Sequence, residues 1–213
     1  MKCDKKHMLL YAVTDRAWVG KQTLYEQVES ALKGGVTCVQ LREKELNEED
    51  FLKEAIELAA LCKRYGVPFF VNDNVEIAVA CKADGIHVGQ EDMETAKVRE
   101  RVGDDMMIGV SVHTVEEALI AVEHGADCLG LGTVFPTTTK TDVDVMPREL
   151  MQEICRAVEI PVVAIGGINE SNLMQLAGTG VDGVALVSAI FAAEDIEGTC
   201  RKLRKLSEEM VQA

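Results

Sequence analysis

Eight short apolar runs, each followed by a stretch of helical spacing, fill this chain almost from end to end. That alternation is the strongest constraint on what it can fold into. The runs are Met8 to Asp15, Val36 to Lys44, Pro68 to Asp73, Gly85 to Gly89, Met106 to Val112, Cys128 to Phe135, Pro161 to Gly167 and Val181 to Val187. Most are continuous rather than alternating, as expected of parallel strands covered on both faces. Helical spacing follows over Leu24 to Lys33, ending at Gly34-Gly35, and from Asn47 to Tyr65, where Gly66 stops it. Shorter helices are expected over Val75 to Cys81 and Thr95 to Arg101. Thr114 caps another, with Glu117 at capping-box spacing. Pro147 opens one at its first turn, Asn169 caps one that runs through Leu176, and Asp195 to Met210 supplies the last. A helix end, a glycine and a strand start recur together at Gly34-Gly35-Val36, His124-Gly125-Ala126 and Gly180-Val181-Asp182. Eight strand-helix units in 213 residues predict an α/β chain, a single-domain (β/α)8 TIM barrel over residues 1–213. A doubly wound open sheet is the alternative. It would carry a G-x-G-x-x-G turn after its first strand, where this chain has Thr14-Asp15-Arg16.

A barrel builds its site at the C-terminal ends of its strands. The second strand, V-T-C-V-Q-L-R-E-K, puts Val36, Cys38, Gln40, Arg42 and Lys44 on one face by simple alternation. Two cations at the end of that face call for an anion. The plainer reading pairs them with Glu43, Glu45 or Glu49, since surface ion pairs are common. The other strands also end in polar residues or glycine: Asn72-Asp73, then Gln90 to Asp92, Ser111, Pro136 to Lys140, Gly166-Gly167 and Ser188. Asp73 and Asp92 close neighbouring strands beside the cations. Such a pair suits magnesium (Mg²⁺), which takes one or two carboxylates and completes its octahedron with water and substrate phosphate. Taken singly, each aspartate also reads as a helix cap.

Pro136 to Lys140 offers hydroxyls, backbone N–H groups and an ammonium able to wrap a phosphate. Gly166-Gly167 lets backbone approach a ligand, and a short helix from Ser188 would complete the phosphate site often found after strands seven and eight. His113 is a candidate acid-base group or, equally, a residue bonded near the Thr114 cap. His87, within a strand, reads as structural.

The charge balance argues against a nucleic-acid or anionic-membrane partner, with 22 Lys and Arg against 36 Asp and Glu and a net charge of -14. No apolar run reaches membrane-spanning length, and the apolar stretch after the basic start is too short for a signal segment. Seven scattered cysteines without a C-x-x-C pair read as buried thiols in a cytoplasmic protein.

L-Y-A-V-T-D (from Leu10), Q-L-R-E-K (from Gln40), V-N-D (from Val71), G-I-H-V-G-Q-E-D (from Gly85), G-V-S-V-H-T (from Gly109), F-P-T-T-T-K (from Phe135), A-I-G-G-I (from Ala164) and A-L-V-S-A-I (from Ala185) together resemble the thiamine phosphate synthase family. The resemblance runs almost end to end. It implies a TIM-barrel transferase joining 4-amino-5-hydroxymethyl-2-methylpyrimidine diphosphate to a thiazole phosphate or its carboxylated form. The products would be thiamine phosphate and diphosphate, with Mg²⁺ as cofactor. Carried over to this chain, Gln40, Arg42, Lys44, Asn72, Ser111 and Lys140 would hold the pyrimidine diphosphate. Asp73 and Asp92 would hold Mg²⁺, and Thr137, Thr139, Gly167, Val187 and Ser188 the thiazole phosphate. The family's chemistry is dissociative: diphosphate leaves and the thiazole nitrogen captures the pyrimidine cation. The partners implied are small phosphorylated molecules, with a homo-oligomer left open. A thiazole tautomerase or regulatory relative on the same barrel is the alternative, but it would lack the diphosphate and metal residues. A generic phosphate-binding isomerase or lyase would not account for the paired aspartates.

Overall fold

The computed structural model describes residues 3–137 and 145–213. Its strands are β1 (Leu10–Val13), β2 (Cys38–Leu41), β3 (Phe69–Asn72), β4 (Gly85–Val88), β5 (Met107–Val112), β6 (Cys128–Leu131), β7 (Val162–Ile165) and β8 (Gly183–Leu186). They pair in parallel in chain order, and β8 returns to β1 through the Leu10–Val184 and Tyr11–Ala185 pairs, so the barrel is closed. The helices among the described residues are α1 (Lys5–Met8), α2 (Leu24–Lys33), α3 (Glu48–Tyr65), α4 (Val75–Ala80), α5 (Thr95–Val102), α6 (Val115–Glu123), α7 (Arg148–Ala157), α8 (Ser188–Phe191) and α9 (Ile196–Gln212).

Strand alternation splits the core in two. Tyr11, Val13, Cys38, Phe70, Met107, Cys128, Val163 and Ala185 point into the barrel, where Met8 joins them from below. Their neighbours, such as Leu10, Val39, Val71, Ile86, Ile108, Leu129, Ala164 and Val184, pack outward against the helices. The inner layer makes room for its large members with glycine. A Cβ on Gly85 would lie 2.3 Å from the Phe70 ring.

The N-terminal end of the barrel is held by a repeated side-chain bracket. Before each even strand stands a residue whose side chain accepts the backbone N–H at the start of the preceding odd strand. Thr37 Oγ1 takes Leu10 N at 2.8 Å, and Asp84, Asp127 and Asp182 take Phe69, Ile108 and Val162 N, each at 2.9 Å. The backbone answers in kind, with Thr37, Asp84, Asp127 and Asp182 N–H groups bonded to the carbonyls of the same four partners at 2.7–2.9 Å. Arg99 on α5 donates to Asp127 at 2.6 Å and to the Gly125 carbonyl at 2.7 Å, tying one bracket to the helical layer.

Several elements depart from the sequence expectation. Regular strand begins only at Cys38, so Val36 packs with the outer core instead of sharing the face of Cys38. The helix expected from Asn169 is a single 3-10 turn, Leu173–Leu176. Asn169 Oδ1 accepts the Ser171 N–H at 2.9 Å and its hydroxyl at 2.6 Å, a local bond set that competes with the helix ladder. Pro147 is extended, with φ -62° and ψ 146°, and caps α7 instead of occupying its first turn. The cysteines are all unbridged, and Cys38, Cys62, Cys81, Cys128 and Cys200 are buried. Burial pushes the Cys62 thiol up to about 12, so it stays protonated.

Asp127→Ala should cost about 1–3 kcal/mol by denaturant unfolding, because it leaves the buried Ile108 N–H without its acceptor and removes the carboxylate that Arg99 holds. Activity at 25 °C should not change, since the bracket lies at the end of the barrel away from the mouth. A loss within the roughly 0.5 kcal/mol of an ordinary surface substitution would show that the brackets do not hold the ring.

Candidate active site

At the opposite end of the barrel, the chain leaving β1 grips the chain leaving β2 residue by residue. Thr14, fully buried, accepts the Arg42 N–H at 3.0 Å, and its hydroxyl lies 3.5 Å from the Arg42 carbonyl. Asp15 accepts from the Arg42 guanidinium at 3.2 Å with one oxygen and from Ala17 N at 2.9 Å with the other. Arg16 donates through Nε to Glu43 at 2.7 Å and through one terminal nitrogen to both Glu54 oxygens at 2.9 and 2.7 Å. The second Glu43 oxygen accepts the N–H groups of Glu45 and Leu46 at 2.6 and 3.1 Å. Burial opposes the charge on Glu43, but Arg16 and these two N–H groups outweigh it and hold its carboxyl below the usual range. At Glu54 burial dominates and pushes the carboxyl up.

The carboxylates facing Arg42 and Lys44 are therefore Asp15 and Asp73, from neighbouring strand ends, rather than the sequence-adjacent Glu43, Glu45 or Glu49. Asp73 sits just beyond β3 with φ +60°, the left-handed region that Asp tolerates better than most residues. Its N–H donates to the His87 carbonyl at 2.8 Å, and Asn72 Nδ2 donates to its Oδ1 at 2.7 Å. Asp92 accepts the Gly89 N–H at 2.7 Å. Burial raises the Asp92 carboxyl, the Gly89 N–H pulls it back, and the adjoining Asp73 carboxylate raises it further, for a net rise. Two hard carboxylates held together at adjacent strand ends fit a small divalent cation such as Mg²⁺. Among the described residues, no group of three or more His, Cys, Asp or Glu is arranged to hold a metal.

Below the mouth, Gln40 donates to the Tyr11 hydroxyl at 2.9 Å. His87 Nε2 lies 3.0 Å from Ser111 Oγ, and Gln90 donates to the Ser111 carbonyl at 2.7 Å. The imidazole fits because Gly109 lies beside it. A Cβ there would be 2.4 Å from His87 Nδ1. His87 thus lies against Ser111, a contact that its mid-strand position did not disclose. The signal was the glycine directly across the strand pair, in register with it. His113 is half exposed. Its N–H donates to Glu117 at 2.7 Å and its Nδ1 lies 3.3 Å from the same oxygen. Thr114 and Glu117 form the cap of α6, with the carboxylate reaching one residue further back than the usual box.

Across the mouth, Gly166 and Gly167 both have left-handed φ, +107° and +65°. A Cβ on Gly167 would sit 2.4 Å from the Pro136 carbonyl oxygen. The glycine pair therefore lets β7 end against the loop after β6, where Phe135 N donates to the Gly166 carbonyl at 3.0 Å. Asn172 Nδ2 supports the Gly167 carbonyl at 2.9 Å. Val187 precedes α8, and Ser188 is its first residue, as the sequence predicts. Thr137, Gly167, Val187 and Ser188 thus follow the ends of β6, β7 and β8. Thr139 and Lys140, the other residues assigned to the loop after β6, lie outside the described residues, as does Thr138.

A family model described as thiamine monophosphate synthase matches residues 10–190. The thiamine-phosphate synthase of Clostridium acetobutylicum is 46% identical over 192 residues, covering 90% of this chain and 91% of that protein. That of Ruminiclostridium cellulolyticum is also 46% identical, over 197 residues, covering 92% and 94%. Among solved structures, thiamine phosphate pyrophosphorylase from Pyrococcus furiosus is 40% identical with a TM-score of 0.89, covering 97% of this chain and 98% of that one. The native KDPGal structure, at 20% identity and a TM-score of 0.73, shares the fold alone. By its match along most of its length, this chain belongs to the thiamine monophosphate synthase family.

Proposed function

We propose that this protein is a thiamine-phosphate synthase that joins 4-amino-5-hydroxymethyl-2-methylpyrimidine diphosphate to a thiazole phosphate and releases diphosphate. The observation that carries the reading is the meeting of Lys44, Asp73 and Asp92 where β2, β3 and β4 end side by side, with Arg42 two residues before Lys44 and held by Asp15. Arg42 and Lys44 neutralise the diphosphate as negative charge builds on it, each trading its carboxylate partner, Asp15 or Asp73, for phosphate oxygen. Asp73 and Asp92 would hold Mg²⁺, which supplies further positive charge to the leaving diphosphate. Gln40, Asn72 and Ser111 orient the pyrimidine, with Ser111 backed by His87 and Gln40 by Tyr11. Lys140 completes this group in the reading. Thr137, Thr139, Gly167, Val187 and Ser188 anchor the thiazole phosphate across the mouth and hold the nucleophilic nitrogen in line. Departure of diphosphate before capture needs no side-chain nucleophile, and no acid-base role is assigned to His113, whose geometry serves the α6 cap. A cytoplasmic location accords with seven unbridged thiols and with the absence, among the described residues, of a helix long and apolar enough to cross a membrane. Incubation with both substrates and Mg²⁺ should yield thiamine phosphate and diphosphate. Absence of that product with folded protein would refute the assignment.

Asp73→Asn and Asp92→Asn should each lower turnover at limiting Mg²⁺, by about 10²-fold if the loss matches that of a transition-state donor. Asn tolerates left-handed φ as well as Asp does, so the thermal midpoint of Asp73→Asn should stay near that of the parent. Wild-type turnover of either variant at limiting Mg²⁺ would remove that aspartate from the metal site.

Arg42→Lys keeps the charge but loses the planar fork that grips two phosphate oxygens at once, so it should be impaired, and Arg42→Ala more so. The loss for Arg42→Ala is expected at about 10²–10³ in rate. Thiazole phosphate binding, titrated separately by calorimetry, should barely change. Equal loss for both ligands would overturn the two-subsite assignment.

A further inference from the structure

The resemblance leaves Arg16 and Glu43 without a role, yet they form the most buried charge pair at the mouth. The Glu43 side chain is 1% exposed, whereas its neighbours Arg42 and Lys44 are 26% and 52% exposed. We propose that Glu43, held by Arg16, is a positioning residue that fixes the turn after β2 so that Arg42 and Lys44 face a diphosphate. The inference rests on the assignment of those two cations to the pyrimidine diphosphate.

Between the end of β2 at Leu41 and the start of α3 at Glu48, no regular ladder holds the chain. Its shape comes from side chains. Thr14 fixes the backbone of Arg42. Glu43 turns back under the segment, and its Oε1 captures the N–H groups of Glu45 and Leu46, on the far side of Lys44. Its Oε2 receives Arg16, whose other arm grips Glu54 on α3. Lys44 is thus spanned on both sides by one carboxylate, and that carboxylate is tied to β1 and α3. Cations placed in advance stabilise a leaving group without rearrangement, and a misplacement of about 1 Å can cost roughly 10²-fold in rate.

The test compares Glu43→Ala and Glu43→Gln with the parent, using calorimetry with inorganic diphosphate plus Mg²⁺ and, separately, with thiazole phosphate. Glu43→Ala should weaken diphosphate by about tenfold, the scale of one charge-assisted hydrogen bond, and lower kcat/KM for the pyrimidine diphosphate by about 10²-fold. Thiazole phosphate affinity should stay within about twofold. Glu43→Gln keeps an oxygen for the two backbone N–H groups and should restore part of the loss. If Glu43→Ala does not fold, Glu43→Gln decides alone, by the same split between the two ligands. Equal weakening of both ligands, or unchanged diphosphate affinity in a folded variant, overturns the inference. Arg42→Ala separates the two levels. If it binds diphosphate normally, the subsite assignment falls and the positioning role with it. If it loses diphosphate while folded Glu43→Ala binds as the parent does, only the role of Glu43 is overturned.

Discussion

A closed ring of parallel strands has no free edge, so a slip of one residue in any pair must be absorbed by all the others. Because side chains alternate, the same slip would turn an inward residue outward. The four brackets at the N-terminal end oppose such a slip. Thr37, Asp84, Asp127 and Asp182 each join the start of an even strand to the start of the odd strand before it, by one side-chain and one backbone bond. With register set there, parity carries up the strands. Cys38 inward implies Gln40 inward, Phe70 implies Asn72, and Gly85 implies His87. The site at the mouth inherits its side-chain directions from bonds made at the other end of the barrel.

The charges at the mouth fall into two kinds. Glu43 is buried against the half-buried Arg16 and against backbone, and removing Arg16 would leave its charge uncompensated in a poor solvent. Lys44 and Asp73 are more exposed, and an ion pair of that kind contributes about 0–1 kcal/mol. The first kind is built to stay, and the second exchanges partners at little loss. A ligand that brings phosphate to Lys44 and a dication to Asp73 replaces a weak contact with two stronger ones. This local arrangement explains how a chain of net charge -14 can attract polyanionic substrates.

Much of this was legible in the sequence wherever the signal is local. Glycine marks the ends of α2 at Gly34 and of α3 at Gly66, which takes φ +66°, where the sequence predicts them. The eight strand-helix units and their order followed from period and punctuation. Features that depend on distant partners were not legible. Alternation places Glu43 opposite Arg42 and says nothing of Arg16, 27 positions earlier, which draws it into the interior. Nothing local marks Thr37, Asp84, Asp127 and Asp182 as brackets, because their partners start the previous strand, 15–27 positions away. Spacing alone carries the Thr23–Glu26 capping box, whereas Asn169 opens no α-helix, only a turn followed by the 3-10 segment Leu173–Leu176. An asparagine that bonds its own turn signals a stop as readily as a helix start.

Asp73 concentrates the tension between stability and function. A non-glycine residue in the left-handed region costs on the order of 1–3 kcal/mol where the surroundings do not relieve it, and glycine would remove that cost. The surroundings here bind Asp73 from two sides, through the His87 carbonyl and the Asn72 amide, and hold it in that conformation. Its carboxylate is thereby kept beside Asp92, whose own carboxyl is pushed up by burial and by this neighbour. Backbone strain and like-charge crowding thus meet at one point of an otherwise well-packed barrel. Neither helps the fold. Left-handed φ alone marks no site, since Lys82 adopts it as well, but a dication held between the two carboxylates, as proposed above, would offset the crowding directly. On that proposal, Asp73 is placed by what it would face rather than by what it stabilises.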